Sequence, residues 1–131
     1  MKRLLCLTLV FVATLIACAK DFAWRCAIEW TEKKPEWIFV YEDIKQLSDG
    51  CFRIFTKWEF TDDPNKSSAK QTWFISPDFD KVVVVKSVGY NKEDEIVYSE
   101  DYPYGMNWSY VMPDTYSEAV VNTVIEILLT D

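Results

Sequence analysis

The side chains with chemistry to offer are four cysteines, two dense groups of carboxylates and a run of aromatic residues toward the C-terminal end. Asp78/Asp80 and Glu93/Asp94/Glu95 are the closest-set carboxylates, and such a set can act as general acid and base or hold a cation. Both groups sit in turn-forming sequence, where aspartate is selected for hydrogen bonds to nearby backbone. Neither has the ligand spacing and central glycine of an EF-hand loop. The chain contains no histidine. That removes the commonest general base, the partner that a serine or cysteine nucleophile needs, and the commonest zinc ligand. With three glycines in all, there is no glycine-rich loop to cradle a phosphate. The chain is therefore expected to be no enzyme, with no catalytic residues, no metal and no cofactor.

A different chemistry attaches to Cys18. Lys2 and Arg3 precede an apolar run from Leu4 to Ala17, shorter than the about 20 residues that span a bilayer, which is the make-up of a secretory signal peptide. Its end, Leu15-Ile16-Ala17-Cys18, resembles the lipobox of bacterial lipoproteins. The resemblance implies cleavage before Cys18 and a diacylglycerol on its thiol. Ala17-Cys18-Ala19 also fits an ordinary small-x-small site, with a soluble product starting at Lys20. The expected layout is a lipoprotein-type signal peptide over 1–17, a short tether over 18–21 and one domain over 22–131. Ala19 is not the aspartate associated with inner-membrane retention, so the outer membrane or cell surface is the expected destination. A soluble periplasmic or secreted product is the alternative.

Cys6 leaves with the leader, and Cys26 and Cys51 remain as an even pair in an oxidising compartment. A bond between them closes a loop of about 25 residues and contributes about 3 kcal/mol in the chain-entropy model. Two reduced cysteines buried as small hydrophobes are the alternative.

The elements that position these residues follow from hydrophobic period. Phe22, Trp24, Cys26, Ile28 and Trp30 alternate with Ala23, Arg25, Ala27 and Glu29, which predicts a half-buried strand. Trp37 to Tyr41 is a second, and Cys51 to Phe60 a third after the Asp49-Gly50 turn. Gln71 to Ser76, the valine-rich stretch from Phe79 to Tyr90 and Glu95 to Glu100 complete the set. The valine strand is apolar on both pleat faces and is expected at the centre of the sheet. Pro113, then Thr115-x-x-Glu118, announces a helix by its capping box. Val120, Val121, Val124, Ile125, Ile127, Leu128 and Leu129 give that helix a broad apolar arc. The predicted class is α+β, an antiparallel β-sheet of about five to six strands packed by one C-terminal α-helix.

One helix covers one face of a sheet. Phe55 interrupts the otherwise polar side of the third strand, and the uncovered face is expected to find a second copy of the chain, making a homodimer with Phe55 in its interface. A competing possibility is that the crossing from Tyr102 to Tyr110 folds over it. Aromatic residues make up 16% of the chain. Trp24, Trp30, Trp58 and Trp73 are expected in the core, whereas Tyr102, Tyr104, Trp108 and Tyr110 lie in a segment broken by Pro103 and Gly105 and are candidates for binding. A small carbohydrate-binding module is one use of them.

Charge narrows the partners. The formal net charge is −7, and without Lys2 and Arg3 it becomes −9. Nucleic acid and anionic membrane surfaces are then poor electrostatic partners, and basic protein segments good ones.

Val40-Tyr-Glu-Asp-Ile-Lys-Gln-Leu47, the hairpin from Val82 through Tyr90 to Tyr98, and Trp108-Ser-Tyr-Val-Met-Pro-Asp-Thr-Tyr116 together resemble the surface-adhesin protein E family of bacterial surface proteins, over Trp24 to Leu128. Gln46 stands where that family usually has serine. The cysteine pair that often joins its long-strand region to its last helix is absent, with Asp78 and Asn122 or Val124 near those places, so Cys26 and Cys51 are the available substitutes. The resemblance implies an antiparallel sheet backed by a helix, often a homodimer, and adhesion to host matrix proteins such as vitronectin and laminin. An envelope lipoprotein with no host ligand is the alternative.

Overall fold

Alternating apolar and polar residues resolve into eight strands and one helix in a computed structural model, which describes residues 22–33, 35–61, 67–102 and 107–130. The strands are β1 (Trp24–Ile28), β2 (Glu36–Tyr41), β3 (Lys45–Gln46), β4 (Phe52–Phe60), β5 (Ser68–Ile75), β6 (Lys81–Tyr90), β7 (Ile96–Asp101) and β8 (Ser109–Tyr110), followed by helix α1 (Tyr116–Thr130). They form one antiparallel sheet in the order β1-β2-β4-β5-β6-β7. The two-residue strands extend it: β3 continues the row of β2 along β4, and β8 that of β7 along β6. The α+β sheet-and-helix architecture is the predicted one, with the two short strands added.

The valine strand is not at the centre. β6 lies one strand from the edge, and β4 and β5 occupy the middle. Apolar residues on both pleat faces report cover on both sides, which a penultimate strand can also have. Val82 and Val84 pair with Ile75 and Trp73, and a bulge at Thr72/Trp73 then shifts the register toward Lys86.

The core lies between α1 and one face. Ile38, Val40, Ile54, Trp73, Ile75 and Val82 of the sheet meet Val120, Val121, Val124 and Ile127 of the helix, each such side chain contributing about 1.5–3 kcal/mol on burial. Phe52 and Phe79 stack at the edge of this layer with centroids 5.0 Å apart. The apolar arc of α1 is narrower than expected: Leu129 is 80% exposed, while Thr123 is buried and donates its hydroxyl to Ala119 O. The capping box forms with a shift. Glu118 N donates to Thr115 Oγ1 (3.2 Å), but the Glu118 carboxylate accepts from Asp114 N (3.0 Å), one residue further back than usual.

The Cys26–Cys51 bond does not form. Cys26 is exposed and Cys51 buried. Cys26 is level with Phe39, and Phe39 with Lys57, while Cys51 immediately precedes β4. The two are thus about 20 Å apart along the strand direction at about 3.3 Å per residue, far beyond the reach of a disulfide.

The first strand is also turned over relative to expectation. A bulge between Cys26 and Ile28 breaks its alternation, so Ile28 and Ala27 contact the core while Trp24 and Cys26 look away from the helix. Arg25 takes the helix side, where its guanidinium reaches Glu42 (3.0 Å) and Glu126 of α1 (3.5 Å). Trp58 and Trp73 are core residues as predicted; Trp24 is on the opposite face, and Trp30 is 40% exposed with its Nε1 donating to Thr61 Oγ1. Cys18 and Tyr104 lie outside the described residues. Among the described residues no helix is long and apolar enough to cross a membrane.

Candidate functional site

Because α1 lies chiefly over β1 and β2, the β5–β7 half of the same face is left to other cover. A concavity of about 570 Å³ opens there, between Ser117 of the helix, β7 and the chain around Asn107 and Ser109. Its floor is a hydrogen-bonded relay that runs across three strands. Trp73 Nε1 donates to Gln71 Oε1 (2.8 Å), Gln71 Nε2 donates to Ser87 Oγ (3.4 Å), and Ser87 Oγ and Tyr98 Oη are hydrogen-bonded at 3.2 Å, either hydroxyl able to donate. Ser87 is buried, so the relay satisfies a hydroxyl that would otherwise be costly there. On the wall, Tyr102 Oη donates to Glu100 Oε1 (2.9 Å), and that bond is the main cause that holds the phenol above its usual range.

Of the aromatic candidates in the crossing, Tyr102 lines this cavity and Tyr110 does not. Tyr110 is 66% exposed on β8, with the Lys81 ammonium 5.3 Å from its ring centroid. Trp108, half-buried, is not among the lining residues. Among the described residues of the crossing, Asn107 and Ser109 border the cavity and Ser109–Tyr110 pairs along β6. The polar floor, Gln71, Ser87 and Tyr98, was missed by sequence reasoning. Its one available signal was Gly89, since a lone glycine within a strand often marks a close approach.

The face away from the helix covers itself. Trp24, Phe39, Tyr41 and Phe55 share it, with Trp24 and Tyr41 4.9 Å apart by ring centroid. Basic side chains lie over these rings: Lys57 Nζ is 4.9 Å from the Trp24 centroid and 5.2 Å from that of Phe39, and the Arg53 guanidinium is 4.8 Å from that of Phe55. Such contacts let the rings stay half-buried without a second layer. A shallow trough of about 290 Å³ remains, floored by Phe55, Thr72 and Val88, walled by Trp24 and Tyr41, and flanked by Lys70 and Lys86. Phe55 is thus on the face away from the helix.

The carboxylate groups serve their turns. Ser76 Oγ donates to Asp80 Oδ1 (2.8 Å) and accepts from Asp80 N and Lys81 N. Asp78 is held below its ordinary range by hydrogen bonding to Asp80 first and to Ser76 second. Asn91 Oδ1 accepts from the backbone of Glu93 and Glu95. Among the described residues no group of three cysteine or carboxylate side chains is placed to hold a metal ion.

The chain matches no family model, no curated protein and no solved structure.

Proposed function

We propose that this chain is an exported, non-enzymatic binding protein of a bacterial envelope, anchored by lipid at Cys18, that engages its partner at the helix-side cavity and the adjoining β7 edge. The observation that carries the binding role is the cavity lining. It offers hydroxyl, amide and phenol groups on a rigid sheet, in a concavity of about 570 Å³, the make-up of a recognition site with a few convergent polar groups.

Charge is distributed to suit a basic partner at this edge. Glu100 lines the cavity, and Glu93, Asp94, Glu95 and Asp101 follow the β6–β7 turn and β7 around it. A basic segment of a matrix protein is therefore steered toward the crossing and away from the lysine-bearing opposite face. The resemblance to surface adhesins supports a host matrix protein as that partner. An envelope lipoprotein facing the periplasm is the second reading, and the lipobox-like Leu15 to Cys18 favours it equally.

Protease shaving of intact cells separates the two, since an adhesin is cut from outside and a periplasm-facing lipoprotein is protected. If it is exposed, binding to vitronectin or laminin should weaken with salt and fall at least about tenfold in Tyr102→Ala with Glu100→Gln, given that interface anchors of this type cost 2 kcal/mol or more. Protection from shaving, or matrix binding indifferent to both changes, removes the adhesin role.

A further inference from the structure

Strand pairing gathers cations on the face away from the helix, although the chain as a whole is acidic. Lys45 is directly opposite Arg53, and Lys57 directly opposite Lys70. Directly opposed residues of antiparallel strands point to the same side, where like charges repel. Lys86 joins them across β5, opposite Thr72. Lys57 and Lys86 have weak carboxylate partners, Glu59 at 3.8 Å and Asp101 at 3.7 Å. Among the described residues Lys45, Arg53 and Lys70 make no ion pair. Two like-charge oppositions on one face of a net −7 chain are a cost to the fold that an anionic partner would relieve.

We propose that this face lies on the anionic headgroup surface of the membrane that carries the chain's lipid, with headgroup phosphates at Lys57, Lys70 and Lys86 and the rings of Trp24, Tyr41 and Phe55 at headgroup level. The inference rests on the anchoring at Cys18 proposed above. Three features point to a membrane and away from other anions. The partner surface must be broad, because the cations span β3 to β6. The mixture of half-buried Trp and Tyr rings with long basic stems is the one found at membrane–water interfaces. Finally, Phe22 and Trp24 both pack on Tyr41, so the chain leads back toward Cys18 from the edge of this face. From Cys18 to Phe22 there is at most about 14 Å of chain. A second copy of the chain is a poorer occupant, because stacking two such faces about a two-fold axis sets one lysine row against the other.

The test uses the full mature lipidated protein in vesicles of brominated phosphatidylcholine, with or without about one lipid in three as phosphatidylglycerol, read by quenching of tryptophan fluorescence. Quenching should appear in the anionic vesicles, weaken in Trp24→Phe with Trp37 of the same face accounting for what remains, and fall to the neutral-vesicle level in Lys57→Glu with Lys70→Glu. Two cations at such a surface account for about a 25-fold change in the occupancy ratio. Raising salt from about 0.05 to about 0.5 M should release the wild-type face without any substitution, so the result does not hinge on the variant folding. Quenching equal in neutral and anionic vesicles, or unmoved by salt, overturns the proposal. So does release of the face from anionic vesicles by millimolar inorganic phosphate at constant ionic strength, which would mark a free anion as the ligand. A dimer by sedimentation that Phe55→Glu returns to a single chain would give the face to a second copy and overturn it as well. Anchoring is judged separately: Cys18→Ser with unchanged membrane partitioning in cells removes the lipid, whatever the face does.

Discussion

The phenol ring of Tyr98 lies over Gly89 across the β6–β7 pair, so close that a β carbon at Gly89 would collide with ring atoms Cε2, Cδ2 and Cζ. The glycine has its role from the ring above it. Tyr98 in turn reaches Ser87 Oγ and fixes the end of the cavity floor. Gly89→Ala is therefore expected to push the ring off the strand and destabilise the protein by about 1–3 kcal/mol, the usual cost of overpacking. In a Tyr98→Ala background the same substitution should cost a few tenths of a kcal/mol, because the clash is gone. Urea denaturation of the four proteins checks this. Equal costs in both backgrounds would show that the strand, and not the ring, requires glycine.

Helix α1 separates two leucine-like positions that the sequence treats alike. Ile127 is 1% exposed and Leu129 is 80% exposed. Ile127→Ala should cost about 2–5 kcal/mol and Leu129→Ala less than about 0.5 kcal/mol. Midpoints of chemical denaturation with unchanged slopes will read both values. A large loss at Leu129 would mean that something covers the far side of the helix.

Those positions also show how far sequence reasoning reaches. Short-range patterns were legible: the two-residue period gave the strands, Asp49-Gly50 the turn at Gly50 (φ 91°) and Thr115-x-x-Glu118 the start of the helix. Which face meets the helix was not. In β2, Ile38 and Val40 on one side and Trp37, Phe39 and Tyr41 on the other are all apolar, and hydrophobicity cannot choose between them. The bulge after Cys26 then reverses what plain alternation gives for β1. Pairings such as Lys57 with Lys70 and Lys45 with Arg53 are set by register between strands. Net charge averages over them, so a total of −7 gives no sign of a face on which cations gather. The cavity floor was hidden for the same reason, since Gln71, Ser87 and Tyr98 come from three strands.

The separation of Cys26 and Cys51 gives a direct chemical prediction. Mass spectrometry of the unreduced mature protein should find no peptide linking them. Under native conditions Cys26 should be alkylated first and Cys51 only on unfolding, because one is exposed and the other buried. Partial burial first, and the Glu29 carboxylate second, push the Cys26 thiol above its ordinary range, so its alkylation should still be accelerating where an unperturbed thiol has levelled off. A linked peptide would require β1 to pair with β2 in another register.

The bond between the first turn of α1 and the second strand provides the last prediction. Tyr116 Oη donates to Glu36 Oε1 at 2.8 Å, and the ring sits edge-on to Trp58 with centroids 5.4 Å apart. Burial, and then the bond to Glu36, raise this phenol above its ordinary value of 10.0. With the folded-state value the higher one, the native protein keeps a proton that the unfolded chain gives up. Stability should therefore be unaffected by this group below about pH 10 and decline as pH rises past it. Tyr116→Phe removes both the bond and the titration. It should lower stability at pH 7 by about 0.5–1.5 kcal/mol, or up to about 3 kcal/mol because the acceptor is a carboxylate, and flatten the alkaline decline relative to wild type. Thermal melts of the two proteins between pH 8 and about pH 11 measure the difference. Parallel curves for wild type and Tyr116→Phe would mean that the phenol titrates equally in both states, and that the Glu36 contact does not hold the helix to the sheet.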